Sequence, residues 1–135
     1  MIIIVKVYDK QQPNTHREYC GRPGKGQEGL LGNPFWMKDE SKRNEACDKY
    51  QQYFKSIIDC RFTSSLTLEE LDIKAKLSEL VEIAKTQDIE LACFCSPKRC
   101  HTETIKAYIE QQLKLETIPK HNRNNSEFQI LMNYW

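Results

Sequence analysis

The segment from Asp88 to Lys114 constrains the fold most, because it joins an apolar strand to an amphipathic helix through a turn with unusual chemistry. Residues 88–95 are apolar enough for a buried strand, and apolar residues recur at helical spacing in 102–114. Passage from a strand directly into a helix is typical of open α/β sheets, where ligands bind at the carboxyl ends of the strands. The turn at 95–101 holds cysteines, a histidine and two cations, so it is the first candidate site.

Helical and extended patterns alternate along the rest of the chain. A β-branched run at residues 2–7 predicts a first strand, and residues 18–20 predict a short second one. Apolar spacing predicts a helix over 41–59, and a capping-box pattern at Thr67 predicts a second helix that ends near Thr86. Helices between strands make a parallel crossover, so we expect an α/β fold with a small, mainly parallel sheet flanked by helices.

The length of 135 residues predicts a single compact domain over residues 1–135. Residues 116–127 are polar and turn-rich, which favours a loop or linker, and residues 128–135 are apolar again. Because an apolar terminal segment seldom stays in solvent, we expect it to add an edge strand or to form a homo-oligomer contact.

Charge and cysteine content limit the partners and the compartment. Charged residues make up 29% of the chain, but the net charge is only +1, so bulk electrostatics do not support binding to nucleic acid. The apolar run at residues 2–5 is too short for a signal-peptide core or a membrane span, so we expect a cytoplasmic protein with no membrane partner. Thiols stay reduced there, which makes the six cysteines core residues, metal ligands or reactive groups.

All five glycines lie between Gly21 and Gly32. Such clustering favours a loop whose backbone approaches a ligand closely, although a flexible surface loop has the same composition. Neither a P-loop nor a dinucleotide fingerprint is present. The segment opens with Arg22 and closes with Asn33 and Phe35, and an arginine beside aromatic rings suits an anionic, ring-bearing ligand.

Arg43 is a further candidate for binding an anion. It stands in the first turn of the predicted helix over 41–59, where the helix dipole disfavours a cation, so an anionic partner would explain its presence. Solvent exposure of an isolated charged residue is the commoner account of such a position.

The Cys-His turn supports two reactive interpretations. Four potential zinc ligands lie close together in the chain, namely Cys93, Cys95, Cys100 and His101. Adjacent residues rarely reach one metal and the usual C-x₂₋₄-C spacing is missing, so no cofactor is favoured and zinc stays an alternative. In the second interpretation Cys95 or Cys100 is a catalytic thiolate with His101 as its acid/base partner, because cations and a helix start lower the pKa of a thiol.

In a third interpretation the turn binds a ligand without changing it. The residues of the turn and helix start that would contact a phosphate-bearing molecule are Ser96, Lys98, Arg99 and Thr102. The cysteines then pack as small residues beside the ligand. A purely structural turn with inert thiols is the remaining alternative.

Taken together, these motifs resemble a family of bacterial and phage proteins called domain of unknown function 4326. The matching runs follow in order over residues 19–113: Tyr19-Cys-Gly-Arg22, Leu31-Gly-Asn-Pro-Phe35, Arg43 with Glu45 and Tyr50, and Leu91-Ala-Cys-Phe-Cys-Ser-Pro-Lys-Arg-Cys-His101. The family pattern continues with Gly-Asp, where this chain has Thr102 and Glu103, and a threonine there would narrow a ligand site. The resemblance implies a Rossmann-like α/β fold and frequent occurrence in phage genomes, and it implies no settled function.

We therefore predict a Rossmann-like domain that binds a small phosphate-bearing, nucleotide-derived ligand around residues 95–102, covered by the segment 21–35. A phage-encoded protein of this kind would sense or sequester its ligand. The first alternative is a Cys/His-dependent hydrolase or transferase acting on a nucleotide or nucleoside. The second is a zinc-binding structural or interaction domain. The sequence does not decide between an enzyme and a binding protein.

Overall fold

The computed structural model describes residues 1–24, 26–35 and 37–117. Three strands form one sheet: β1 (Ile2–Lys6), β2 (Thr15–Tyr19) and β3 (Asp88–Cys93). β3 lies between the other two and pairs with both in parallel, so that Leu91 stands opposite Ile4 on one side and Glu18 on the other. The α/β class and the small parallel sheet are confirmed, and the closer likeness to a Rossmann fold stays a prediction.

Three helices accompany the sheet: α1 (Arg43–Ile58), α2 (Leu68–Ala84) and α3 (Thr102–Thr117). The capping box predicted for α2 is formed, since Thr67 Oγ1 accepts from the Glu70 N–H at 3.1 Å and the Glu70 carboxylate accepts from the Thr67 N–H at 2.9 Å. Within the part of the chain that the structure describes, no helix has the length and apolar composition needed to cross a bilayer.

Most element boundaries lie within two residues of those that the sequence predicts, and the largest differences are at the start of β2 and the end of α3. β2 begins at Thr15, where it pairs with Asp88. Its first residues are polar, so a pattern of hydrophobic residues does not reveal that they are extended. α3 continues to Thr117, so the first two residues of the predicted loop over 116–127 are helical. The rest of that loop and the predicted terminal segment over 128–135, with its oligomer contact, lie outside the described residues.

The hydrophobic core lies between the sheet and the helices. Ile89 and Leu91 of β3 are fully buried and point to the face that the helices cover. The buried apolar side chains that form one cluster are Ile2, Cys20, Leu31, Tyr50, Phe54, Ile57, Ile73, Leu77, Leu80, Val81, Ile89, Leu91, Ile105 and Ile109. Because α1, α2 and α3 all contribute, removal of any one helix would open the core to water.

The second face of β3 carries a buried charge pair. Glu90 is 2% exposed, and its carboxylate accepts from Arg17 Nε at 3.0 Å and from the Gln12 N–H at 3.3 Å. The connection between β1 and β2 therefore covers this face, and the charge of Glu90 is compensated where it is buried. With both of its faces covered, β3 holds its carboxyl end in a fixed position beside the ends of its neighbours.

Candidate functional site

A cavity of about 700 Å³ opens at the carboxyl ends of the three strands. Residues that follow each strand line it, together with the glycine-rich segment 21–35 and the start of α1. Its volume is within the range of small-molecule sites. The residues singled out from the sequence that line the cavity are Arg22, Asn33, Phe35, Arg43, Cys93, Cys95, Arg99, Cys100 and His101. The fold thus brings the glycine-rich segment, the Cys-His turn and the start of α1 together around one cavity.

Three thiols and an imidazole form what we call the cavity floor, which consists of Cys93, Cys95, Cys100 and His101. His101 is 7% exposed, and its Nε2 lies 2.6 Å from the carbonyl oxygen of Cys20. Since a carbonyl only accepts, Nε2 carries the proton. Burial lowers the pKa of His101, which keeps the ring neutral and leaves a lone pair on Nδ1. That atom lies 3.3 Å from Cys100 Sγ.

The thiols of the floor differ in acidity. Hydrogen bonding of Cys100 with Cys93 and Cys95 raises the pKa of Cys100 and lowers the pKa of both partners, and its single proton is shared among these sulfur atoms and the lone pair of His101 Nδ1. For Cys95 the pKa falls to about 5, through the bond from Cys100 and through the guanidinium of Arg43. Cys93 and Cys100 are buried, whereas Cys95 is half-buried and faces the cavity. Of the two predicted nucleophiles, half-buried Cys95 has the lowered pKa, whereas the pKa of buried Cys100 is raised.

Arg43 is not the exposed surface charge that its position in a first helical turn suggests. Its side chain is 14% exposed, and it forms a fork with the Glu40 carboxylate at 2.7 and 2.8 Å. Its Nη1 also donates to the carbonyl oxygen of Arg99 at 2.9 Å. Hydrogen bonds to Glu40 and Cys95 raise the pKa of Arg43, so its charge is held beside Cys95. Arg43 therefore provides a fixed positive charge at the cavity floor.

Arg99 lies within the Cys-His turn, directly before Cys100, and its side chain contacts α1. Its Nη2 donates to the Asp48 carboxylate at 2.8 Å, and its Nη1 donates to the Asn44 carbonyl at 3.2 Å. Both partners belong to α1, so Arg99 joins the turn to the first half of that helix. Its side chain remains 39% exposed and lines the cavity. Arg99 thus combines a structural contact with a position from which it can reach a ligand.

Arg22 and Asn33 hold the glycine-rich segment closed. Arg22 donates through Nε to the Asn33 carbonyl at 3.1 Å and through Nη2 to the Phe35 carbonyl at 2.9 Å. The Asn33 side chain donates to the Ala46 carbonyl at 3.2 Å and accepts from the Phe35 N–H at 2.9 Å. Arg22 was predicted to bind phosphate, and the structure gives its guanidinium a structural role that shapes the rim of the cavity.

Gly32 serves close packing of the backbone. A Cβ atom at this position would lie 2.6 Å from the carbonyl oxygen of Gly21, a separation that side chains do not tolerate. The two ends of the glycine-rich segment therefore touch through their backbones. Gly32 was also a candidate ligand contact, and the structure places it in this backbone packing rather than on the cavity lining.

Three other residues predicted to bind the ligand lie away from the cavity. Thr102 is fully buried, with its Oγ1 3.9 Å from Cys93 Sγ, because it stands below the turn at the start of α3. Lys98 is exposed, and its Nζ lies 3.4 Å from the Glu40 carboxylate. The backbone N–H of Ser96 bonds to the Cys93 thiol and lowers the pKa of that thiol. The structure thus brings the arginines to the cavity and leaves these three residues outside it.

The start of α3 is occupied by one of its own residues. Glu103 accepts from the Cys100 N–H at 3.1 Å, and the Glu103 N–H donates to the Cys100 carbonyl at 3.1 Å. The Glu103 carboxylate thus satisfies a backbone N–H beside the helix start, where an anionic ligand would otherwise bind. The ring of His101 is oriented by the Cys20 carbonyl.

Sequence reasoning missed several residues of the cavity. Tyr8 and Met37 line it without having been singled out, and Phe94 lies in the Cys-His motif but was given no role. Cys47, which its helical stripe predicts to be core, is buried and also lines the cavity. A usable signal existed for both residues, since Tyr8 directly follows the predicted strand over 2–7 and Phe94 lies at the carboxyl end of the one predicted over 88–95.

The four residues of the cavity floor are also the potential zinc ligands. Among residues 1–24, 26–35 and 37–117, no group of three or more histidine, cysteine, aspartate or glutamate side chains is placed to hold a metal ion. His101 already uses Nε2 in a bond to the Cys20 carbonyl. The zinc alternative stays a prediction from the sequence.

The chain belongs to a known family, since the model of the family described as a domain of unknown function (DUF4326) matches residues 5–111. That match includes the end of β1, all of β2 and β3, α1, α2 and most of α3, and it contains every residue of the cavity floor. No curated protein and no solved structure matches the chain. The family defines the class of protein, and the site must supply the argument for function.

Proposed function

We propose that the cavity binds a small phosphate-bearing, nucleotide-type ligand. One observation carries this proposal: the described residues that line the cavity include three arginines and four aromatic residues, and none of them is aspartate or glutamate. Such a lining favours a ligand that combines negative charge with a planar ring. The position at the carboxyl ends of parallel strands, where nucleotides bind in many α/β proteins, supports the same conclusion.

Arg43 is the residue that we assign to the phosphate. Its guanidinium is held in place by Glu40 and by the Arg99 carbonyl, so little side-chain entropy remains to be lost on binding. The Glu40 side chain is 59% exposed. A phosphate can therefore replace this carboxylate as a bidentate partner, and the displaced Glu40 gains hydration.

A cytoplasmic location and a role in sensing or sequestering a signalling nucleotide form part of the proposal. The thiolate of Cys95 would be oxidised in a compartment that favours disulfides, and the six free cysteines suit a reducing one. A phage origin, which the family resemblance implies, is likewise part of the proposal.

The binding proposal is tested by calorimetric titration and thermal unfolding with the nucleoside mono- and diphosphates of the four common bases. We expect at least one of them to bind and to raise Tm, and we expect Arg43→Gln to weaken that binding at least tenfold through loss of charge-assisted hydrogen bonds. Arg61→Gln, which removes an exposed arginine outside the cavity, is the matched control. Absence of binding for the whole panel, or equal affinity in Arg43→Gln, would overturn the proposal.

A second candidate function is covalent catalysis on the same ligand, and the acidity of Cys95 favours it. The Cys95 thiolate would attack an electrophilic carbon, forming an S–C bond while the leaving group departs with its electron pair and takes the Cys100 proton. Water would then cleave the S–C bond, returning a proton to Cys100 and the electron pair to Cys95. The net reaction is hydrolysis, with both thiols restored.

Product analysis separates the two candidates. Wild-type protein and Cys95→Ser are incubated with each nucleotide of the panel, and the mixtures are examined by mass spectrometry. Catalysis predicts a hydrolysed product with wild-type protein only, together with retained binding by Cys95→Ser. Binding without any product by both proteins would leave the first candidate alone.

A further inference from the structure

We infer that Tyr8, Tyr19 and Phe94 form a subsite for the planar base of the ligand, and we name these three residues the aromatic wall. This inference rests on the proposed function and extends it, since it assigns the two ends of the ligand to different parts of the cavity. Each strand supplies one ring at its carboxyl end: Tyr19 ends β2, Phe94 directly follows β3, and Tyr8 stands two positions beyond β1. All three line the cavity.

Neighbouring rings of the wall pack edge to face. The ring centroids of Tyr8 and Phe94 are 5.7 Å apart, and those of Tyr19 and Phe94 are 6.3 Å apart, both in an edge-to-face arrangement. Rings that meet edge to face leave the flat face of at least one partner open. The wall is therefore built to accept a further ring by stacking.

The exposure of the wall distinguishes it from the aromatic residues of the core. Tyr8 is 82% exposed and Phe94 is 56% exposed, whereas Tyr50 is 2% exposed. Scattered apolar residues are common on protein surfaces, but here adjacent rings are exposed on the lining of one cavity. Removal of that surface from water by a bound ring is favourable.

Tyr19 is the fixed member of the wall. Its hydroxyl donates to the Arg22 carbonyl at 2.6 Å, and its ring lies over Gly21 so closely that a Cβ atom there would stand 2.3 Å from the hydroxyl oxygen. The first glycine of the glycine-rich segment is thus required by the position of a tyrosine ring. This bond also connects the wall to the rim that Arg22 holds closed.

The wall adjoins the charged part of the cavity. Phe94 stands between Cys93 and Cys95 in the chain, and Cys95 bonds to the guanidinium of Arg43. Phe94 and Cys95 both line the cavity, so a ring and a thiol from neighbouring positions can meet different parts of one ligand. A nucleotide has the matching form, with a planar ring at one end and a phosphate at the other. Stacking accepts every base, so the subsite selects for the presence of a base rather than for its identity.

The experiment compares AMP with ribose 5-phosphate, which keeps the phosphate and lacks the base. We expect wild-type protein to bind AMP at least fivefold more tightly, and we expect Tyr8→Ala and Phe94→Ala to lose this preference while their affinity for ribose 5-phosphate stays unchanged. Tyr8→Phe retains the ring and should retain the preference. Phe62→Ala removes a ring that is 71% exposed outside the cavity, and serves as the control.

A proton NMR spectrum of bound AMP gives a second measurement. Stacking shifts the base protons upfield in wild-type protein and in Phe62→Ala, and the shift disappears in Tyr8→Ala. If AMP and ribose 5-phosphate bind equally and Tyr8→Ala and Phe94→Ala change nothing, the subsite is wrong and the phosphate site stands. If neither molecule binds and no nucleotide of the panel binds, the proposed function itself is wrong.

Discussion

The cavity floor and the aromatic wall adjoin at Phe94, yet their groups find partners in different ways. On the floor, His101 bonds to Cys20 and Cys100, and the thiols share protons among themselves. On the wall, Tyr8 and Phe94 present apolar surface to solvent. The floor is thus preorganised by contacts within the chain, whereas under our proposal the wall gains its partner only when a base binds. We therefore expect the charged and reactive groups to be in place before a ligand binds, and we expect the wall to add base-dependent affinity to the binding of the phosphate by Arg43.

The largest effect should come from removing a partner at the floor. His101→Ala leaves the buried Cys20 carbonyl without its donor and removes a ring that packs edge-on against Tyr50 at 4.8 Å. We expect a loss of about 2–4 kcal/mol in the free energy of unfolding, measured with urea. His16→Ala, at a position 31% exposed on β2, should cost less than about 1 kcal/mol. Equal costs for the two variants would show that the floor is not preorganised by His101.

The acidity of Cys95 gives the next largest effect. With a pKa of about 5, the thiol stays ionised as the pH falls until it reaches that value, so the rate of alkylation by iodoacetamide should fall only below about pH 6. At pH 6 an ordinary thiol is almost wholly protonated, and Cys95 should react about tenfold faster than N-acetylcysteine in solution after allowance for its lower intrinsic nucleophilicity. A Cys95 rate that still rises between pH 7 and pH 9 would contradict this assignment.

Arg43 should account for part of that acidity. Arg43→Gln removes the charge beside Cys95, so the pKa of Cys95 should rise by about one unit and the alkylation profile should move to higher pH by the same amount. Arg61→Gln lies outside the cavity and should leave the profile in place. An unchanged profile in Arg43→Gln would mean that Cys100 alone sets the acidity of Cys95.

The smallest effect is expected at the wall. Tyr8→Ala should change the free energy of unfolding by less than about 0.5 kcal/mol, because the side chain is 82% exposed. Thermal unfolding without ligand checks this value. A loss above about 1 kcal/mol would show that the Tyr8 ring already makes stabilising contacts within the chain. That result would contradict the difference between the floor and the wall.

Much of the fold follows from local patterns that are visible in the sequence. The stripe through Cys47, Tyr50 and Phe54 predicts α1, because burial of one helical face needs only neighbours at fixed spacing. The Cys-His turn also lies where a strand passes into a helix. These features could be predicted because each depends on a few adjacent residues.

The details of the site depend on contacts between distant segments, and the sequence could not reveal them. Arg22 bonds to carbonyl groups eleven and thirteen positions away, so its role as a clamp depends on the path of the glycine-rich segment. His101 is oriented by Cys20, which is 81 positions away. The bond from the Cys100 N–H to the Glu103 carboxylate was also hidden, since a helix start can bind either an acidic side chain of its own first turn or an external anion.

The most direct test of the central claim is the native mass spectrum of freshly purified protein, compared with its denatured mass. We predict an adduct with the mass of a nucleotide that is lost on denaturation, or a one-to-one complex with at least one nucleoside mono- or diphosphate added to the wild-type protein. Arg43→Gln should show neither species. A spectrum with no adduct and no complex across the whole panel would contradict the assignment of the cavity as a nucleotide site.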